Sequence, residues 1–456
     1  MTNDFSKGKV SRHIVRLAIP VIIAQVVNVL YSIVDRIYIG HMEGIGQMAL
    51  TGIGLCLPIT MTVSAFSALI GFGGAPLSSI LRGAKDINQA EKVLGNCISA
   101  LIFLGIAVPA ICLAVKEPIL YLFGASDATY GYANTYITIY LLGSLPVMLT
   151  LGLNPFINAQ GFTRDGMITV AVGAVLNLIL DPIFIFVFRM GIAGAAIATV
   201  ISQSVSCLWV LMFFFGKKNM LRIRRANLRP EWPLLGKVCA LGVSGFIMQI
   251  TESALSAVFN ANLQQFGGDI YVTAMTVASS LRQVAFLVIQ GFGQGAQPVI
   301  GYNFGAKEYG RVRQSVRFLL LVSVIYSVSI WIVLQIGMPW GIAIFNNDPE
   351  LIEIATPLLR IYFMGTFIFG TQSACQNVFV ALGEAKKSVF VALFRKVILL
   401  IPLIIILPRL GFGVLGIYSA EPIADIISAT VCTILYMCTC NRSLKRMELA
   451  QMTREK

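Results

Sequence analysis

The sequence predicts an all-α polytopic membrane protein, with twelve transmembrane helices in two parallel-repeat six-helix lobes around a central cavity. Three observations carry this expectation. Hydrophobic residues make up 57% of the 456 and charged residues only 12%, far from the usage of a soluble domain. Apolar runs long enough to cross a bilayer recur from one end to the other. Finally, landmarks recur at one spacing of 222 positions: Gly83-Ala84-Lys85-Asp86 as Gly305-Ala306-Lys307-Glu308, Gly143 as Gly365, Gly161 as Gly383, and Pro76 as Pro298.

A bilayer core takes ~20 mostly apolar residues as a helix. Runs of that kind cover 14–39, 48–80, 93–115, 132–160, 167–188 and 193–215, then 235–264, 272–303, 313–337, 355–382, 388–408 and 413–438. The second and eighth run long and carry glycines, which predicts tilt or kinks. Lysine and arginine orient the set. One side holds Lys7, Lys9, Arg12, Arg16, Arg82, Lys85, Lys92, Arg164, the 217–237 cluster, Lys307, Arg311, Arg313, Arg317, Lys386, Lys387 and the C-terminal group. The other holds Lys116, Arg189 and Arg409 beside Glu43, Glu117, Asp127, Asp269, Asp348 and Glu350. Both termini are therefore expected to be cytoplasmic.

The net charge of +13 is mostly this topology signal. The run Lys217–Arg225 suits anionic lipid; no nucleic-acid-binding module accompanies it. With only His13 and His41, no histidine-rich metal site is available. The nine cysteines, Cys438 and Cys440 included, read as small buried hydrophobes rather than ligands. No HExxH or GxSxG pattern occurs, so neither an enzyme nor a cofactor is expected. Residues 1–12 are polar and basic, so the first span is expected to act as an uncleaved insertion signal.

Six spans per repeat is an even number, so both repeats enter the membrane from the same side. That arrangement implies a pseudo-two-fold axis along the membrane normal and alternating access by rocking of lobes. The division expected from sequence is 1–215 for the first lobe, 216–231 for a basic cytoplasmic linker and 232–456 for the second lobe and tail.

Charges inside the spans mark candidate sites, because a carboxylate within a bilayer is costly. Asp35 falls ~7 Å from the outer end of the first span, Asp181 ~12 Å deep in the fifth and Thr199 ~10 Å deep in the sixth. Asn177 lies one turn from Asp181 on the same helical face. Two carboxylates, an amide and a hydroxyl form an oxygen-rich set suited to Na⁺ or to proton exchange. Pro182 removes a helix donor beside Asp181 and permits a bend. The positions of the second repeat aligned with the two aspartates, Phe259 and Ile401, are apolar, which favours function over packing. The competing reading is a structural pair with Arg36 as counter-ion.

In the second lobe, Glu252 (~18 Å deep) and Arg282 (~15 Å deep) are expected to form a buried ion pair. Arg395 and Lys396 are expected to pair with Glu421 and Asp425. Gln25, Asn28, Asn154, Gln249, Glu252 and Arg282 are candidates for a substrate cavity; Gln372 and Gln376 either line it or join helices. Met61 and Met248 would give such a cavity a deformable wall, and aromatic faces beside a carboxylate suit lipophilic cations.

The stretches LAIPVIIAQVVNVLYSIVDRIYIG, GAPLSSILRGAKD, NLILDPIFI and GIAGAAIAT resemble the multidrug and toxic compound extrusion (MATE) family. The resemblance spans essentially the whole chain, and its style is that of the bacterial branch with the MepA-like exporters. It implies an antiporter of the bacterial inner membrane, acting as a monomer, that expels lipophilic organic cations and drugs against inward Na⁺ or H⁺. It also implies that Asp35, Asn177, Asp181 and Thr199 bind the coupling cation, with no metal beyond Na⁺. A second-lobe acidic site known in some members has only Glu252 here, without its partner acid. The runner-up function is a flippase of lipid-linked sugars on a related fold.

Overall fold

The computed structural model describes residues 4–40, 42, 46–123, 125–216, 218–345 and 349–454. His41, Glu43, Lys217, Asp348 and the side chains of Arg36 and Asp269, all named above, lie outside the described set. Every regular element among the described residues is helical. The first repeat forms α1 (Val10–Gly40), α2 (Gly46–Gly83), α3 (Ile87–Leu122), α4 (Asp127–Leu142), α5 (Ser144–Ala159), α6 (Thr163–Pro182) and α7 (Gly191–Phe215). The second forms α8 (Trp232–Phe266), α9 (Asp269–Gly305), α10 (Tyr309–Ala343), α11 (Pro349–Tyr362), α12 (Thr366–Ala381), α13 (Ala385–Leu393), α14 (Ile401–Leu407) and α15 (Gly413–Leu435), followed by a polar tail helix α16 (Arg442–Arg454).

Ten described helices are long and apolar enough to cross a bilayer, or eleven with α4 and α5 taken as one span bent by 59°. The last of these, Ala385–Ala450, runs 66 residues. At 1.5 Å per residue that is ~100 Å, about three times a hydrocarbon core. Its backbone breaks at Gly411 (φ 96°) and Gly413 (φ 51°), which divides it into two crossings and gives the twelve expected.

The repeat is written in the backbone. Residues with positive φ pair at the same 222-residue spacing: Lys85 with Lys307 (62° and 63°), Arg189 with Gly411 (50° and 96°), Gly161 with Gly383 (87° and 77°), and Gly191 with Gly413 (56° and 51°). The turn after α2 closes with Ala84 N–H on Ile80 O and Asp86 N–H on Leu81 O; the turn after α9 closes with Ala306 on Tyr302 and Glu308 on Asn303. Two lysines in a left-handed conformation that most side chains avoid thus repeat as a matched pair of helix ends.

The chain packs as two compact units, whose edges fall inside α1 and α8 rather than at the 216–231 linker. One holds Ile19–Gln249, the other Asp4–Ala18 with Ile250–Lys456. In the first unit α2 packs on α3, α4 and α5, over one core around Cys56, Val63, Ile137 and Ile185 and a second around Leu94, Leu153, Phe156 and Val238. The linker is docked on this unit. Gln160 Oε1 accepts from Met220 N (2.7 Å) and Leu221 N (3.2 Å), while Glu91 accepts from Arg222 N (3.2 Å) and pairs with Arg224 (2.7 Å). Part of the basic run therefore serves internal contacts. In the second unit α12 packs on α9, α10 and α15, again over two cores, one around Leu263, Ile342, Phe363 and Tyr418 and one around Ile14, Val299, Leu319 and Phe379. The N-terminal strap is tied to this unit by Asn303 and Arg311, which donate to Phe5 O at 3.2 and 2.8 Å.

The first half of α8 joins the first unit because α2 and α8 cross backbone to backbone. A Cβ on Gly242 would collide with the Leu69 carbonyl, and one on Gly73 with the Val238 carbonyl. Small residues permit such close helix contact in membranes. Gly242→Ala is expected to cost at least about 1–3 kcal/mol through overpacking, read as a lower midpoint in thermal unfolding of purified protein. A midpoint equal to wild type would contradict the crossing.

All nine cysteines are free. Seven are buried as expected, but Cys239 is part-exposed and Cys438 exposed. Cys438 lies two residues before Cys440 in the π-helical turn Tyr436–Asn441, so the two side chains leave the helix in different directions.

Candidate functional site

The first polar cluster lies inside the first unit. Asp181 is the penultimate residue of α6, and the spacing of four puts Asn177 directly against it. Asn177 Nδ2 donates to Asp181 Oδ1 at 3.0 Å, and the two side chains are buried at 2% and 0% exposure. From α1, Asp35 brings its carboxyl within hydrogen-bonding reach of Asp181. Pro182 follows, then a π-helical turn over Ile183–Val187. Turns of this type loosen a helix locally and recur at functional sites.

The oxygens of this cluster are not used up by hydrogen bonding. Asn177 Oδ1 and Asp181 Oδ2 are buried, and no N–H or hydroxyl donor among the described residues reaches them. A buried acceptor without a donor is costly. Two carboxyls and an amide oxygen are hard donors, suited to Na⁺ as well as to H⁺. Among the described residues no group of three or more His, Cys, Asp and Glu is positioned for a metal ion.

Tyrosines that sequence reading did not single out surround the pair. Tyr31 lies within electrostatic reach of both aspartates, and Tyr136 within reach of Asp35 and Tyr31. Tyr136 and Tyr140 stack with ring centroids 6.3 Å apart. The available signal was spacing: Tyr31 precedes Asp35 by four residues and Tyr136 precedes Tyr140 by four, so each pair shares a helical face. Thr199 donates to Ala195 O at 3.0 Å, a bond within its own helix.

The second cluster lies inside the second unit and differs from the expected pairing. Glu252 pairs with Lys396, not with Arg282. Arg282 pairs with Glu421 and donates to Tyr362 Oη at 3.1 Å. Arg395 holds Asp425 through Nε at 2.8 Å and Glu421 through Nη2 at 2.6 Å, as the sequence led us to expect. The exchange of partners has a local cause: Arg395 and Lys396 sit in a π-helical stretch, Phe394–Leu400, that presents adjacent residues differently from an α-helix. Phe286 and Phe369 stack at 4.3 Å, with Arg282 over the first ring (5.5 Å) and Arg395 over the second (5.1 Å).

The remaining candidates divide. Asn154 donates to Gly166 O at 3.1 Å and so ties α5 to α6. Gln372 accepts from Ser428 at 2.8 Å, and Gln376 donates to Ser388 O at 3.0 Å, tying α12 to α15 and α13. Gln25 and Gln249 are part-exposed, while Asn28, Met61 and Met248 are exposed.

The fold and its buried polar clusters define a polytopic helical membrane protein built from two repeated lobes. The family described as MatE matches residues 20–183 and 246–406, once in each repeat. The chain is 28% identical over 449 residues to the multidrug export protein MepA of Staphylococcus saprophyticus, covering 98% of each. It is 27% identical over 426 residues to MepA of Staphylococcus aureus, covering 93% of each. Among solved structures, a MATE protein in the bent conformation superposes with TM-score 0.90 at 22% identity, covering 96% of this chain and 97% of that one. An outward-facing multidrug resistance MATE transporter gives 0.89 at 21%, covering 96% and 97%. The chain belongs to the MATE family and is a transporter rather than an enzyme.

Proposed function

We propose that this protein is a secondary antiporter that exports lipophilic, often cationic drugs or toxic compounds, driven by inward H⁺ or Na⁺. The observation that carries this reading is the Asp35–Asn177–Asp181 cluster, in which Asn177 Oδ1 and Asp181 Oδ2 are buried without an N–H or hydroxyl donor among the described residues. Thr199 completes the coupling set. The similarity to multidrug export proteins supports the cargo. The cycle is alternating access of the two lobes in the bacterial plasma membrane, with both termini cytoplasmic, as a monomer. An acidic first lobe suits an exporter of cations better than a flippase of anionic lipid-linked sugars.

The test is energy-dependent uptake of tetraphenylphosphonium, a permanent lipophilic cation, into everted vesicles containing the protein. Uptake no faster than in vesicles without it would overturn the reading. Within this scheme Glu252 contributes to cation recognition. Glu252→Gln is expected to slow efflux of cations by about fivefold, the worth of ~1 kcal/mol of partly screened ion pairing. Efflux of neutral compounds should change less; equal losses for both would remove Glu252 from recognition.

A further inference from the structure

The charged cluster of the second unit is balanced: three bases (Arg282, Arg395, Lys396) face three acids (Glu252, Glu421, Asp425). It is unevenly covered. Glu421, Asp425, Arg395 and Lys396 are exposed by only 2 to 6% of their side chains, whereas Glu252 is exposed by 50%. A carboxylate midway along a membrane helix does not face hydrocarbon at tolerable cost, so its open side marks a polar route. The stacked rings of Phe286 and Phe369 are already occupied by the guanidinium groups of Arg282 and Arg395. An incoming cation therefore meets Glu252 first, and finds an ammonium already paired with it.

We propose that Lys396 is a tethered competitor of the cationic substrate: substrate binds Glu252 by displacing Lys396, and Lys396 returns to Glu252 when substrate leaves. This rests on the exporter reading and deepens it by naming a residue that sets substrate affinity. Displacement leaves the Lys396 ammonium next in sequence to Arg395 and without its carboxylate, a like-charge arrangement that weakens binding. The same penalty favours release. In the empty protein the ammonium keeps Glu252 from being stranded, since an ionised group left unpaired in a low-dielectric setting is strongly unfavourable. Lys396 thus stands in for the substrate during the return half of the cycle.

The test is equilibrium binding of tetraphenylphosphonium to purified full-length protein, with thermal unfolding as a second readout. Lys396→Met is expected to bind about tenfold more tightly than wild type, ~1.4 kcal/mol, and to gain more thermal stability from the ligand. Lys396→Arg, which keeps the charge, should bind within about twofold of wild type, within ~0.4 kcal/mol. The gain should vanish in Lys396→Met/Glu252→Gln. Should Lys396→Met fail to fold, Lys396→Gln, which still donates to Glu252 but carries no charge, is expected to show the same direction. Affinity in these variants that is unchanged, weaker, or raised independently of Glu252 overturns the proposal. Wild-type protein that neither binds nor exports the cation would count against the exporter reading, while a Glu252-dependent gain in Lys396→Met would still uphold the exchange.

Discussion

Asp181→Asn is expected to abolish drug accumulation in everted vesicles while protein abundance stays at the wild-type level. The substitution keeps the size and one acceptor oxygen of the side chain but removes the charge that a coupling cation would neutralise. Its Asn177 neighbour, bonded at 3.0 Å, retains a partner, so the helix end should persist. The expected loss follows from energetics. For an uncharged substrate exchanged against one cation, one charge moving down 100 mV releases about 2.3 kcal/mol, enough to hold a concentration ratio of roughly 50. Without a coupling site the ratio relaxes to about 1, since nothing links substrate movement to that free energy. Accumulation by Asp181→Asn that matches wild type would remove Asp181 from the coupling site.

Arg395→Met is expected to be the most destabilising substitution in the second unit. Arg395 holds both Glu421 and Asp425, and all three side chains are 5% exposed or less. Removing the guanidinium leaves two buried carboxylates with Arg282 as their nearest remaining base. Breaking a buried ion pair from one side typically costs about 3–5 kcal/mol, because the surviving charge has no compensation. Thermal unfolding of the purified variant should show a marked drop in midpoint, or no folded protein at all. Arg395→Lys should fall between, since an ammonium cannot bridge two carboxylates through the planar fork that Arg395 uses. A midpoint for Arg395→Met within experimental scatter of wild type would show that the network is not held by this residue.

What the sequence made legible follows from which interactions are local. The pairing of Asn177 with Asp181 is a matter of helical spacing, and the structure forms it. The repeat was visible as short identical stretches because the turn after α2 and the turn after α9 need the same residues at the same places; Lys85 and Lys307 adopt the same left-handed φ. The partner of Glu252 was not legible. Its choice of Lys396 over Arg282 depends on how the π-helical stretch Phe394–Leu400 is wound, and periodicity does not record that. Nor did the apolar sequences of α1 and α8 reveal where each helix changes unit, because a run of Leu, Val and Ile does not specify which bundle it packs against. Gly73 and Gly242 carried that information, since a Cβ on either would collide with a carbonyl of the other helix. Tyr31 and Tyr136 escaped notice for a related reason: tyrosines in a span are common, and only the fold brings these two to the aspartates.

The two repeats place different chemistry at matched positions. Thr199 of the first corresponds at the 222-residue spacing to Glu421 of the second, and Gly173 to Arg395. On the proposed reading, the first lobe keeps oxygens open for a small cation, while the second neutralises its own charges and leaves Glu252 at the edge. Division of labour between coupling and recognition would then be an outcome of divergence after duplication.

The central claim is that the Asp35–Asn177–Asp181 cluster couples cation entry to substrate exit. The most direct measurement is substrate transport in proteoliposomes under Na⁺ and pH gradients imposed separately, in wild type and Asp181→Asn. At least one of the two gradients is expected to drive transport in wild type, and neither to drive it in Asp181→Asn. Gradient-driven transport by Asp181→Asn at the wild-type rate would contradict it.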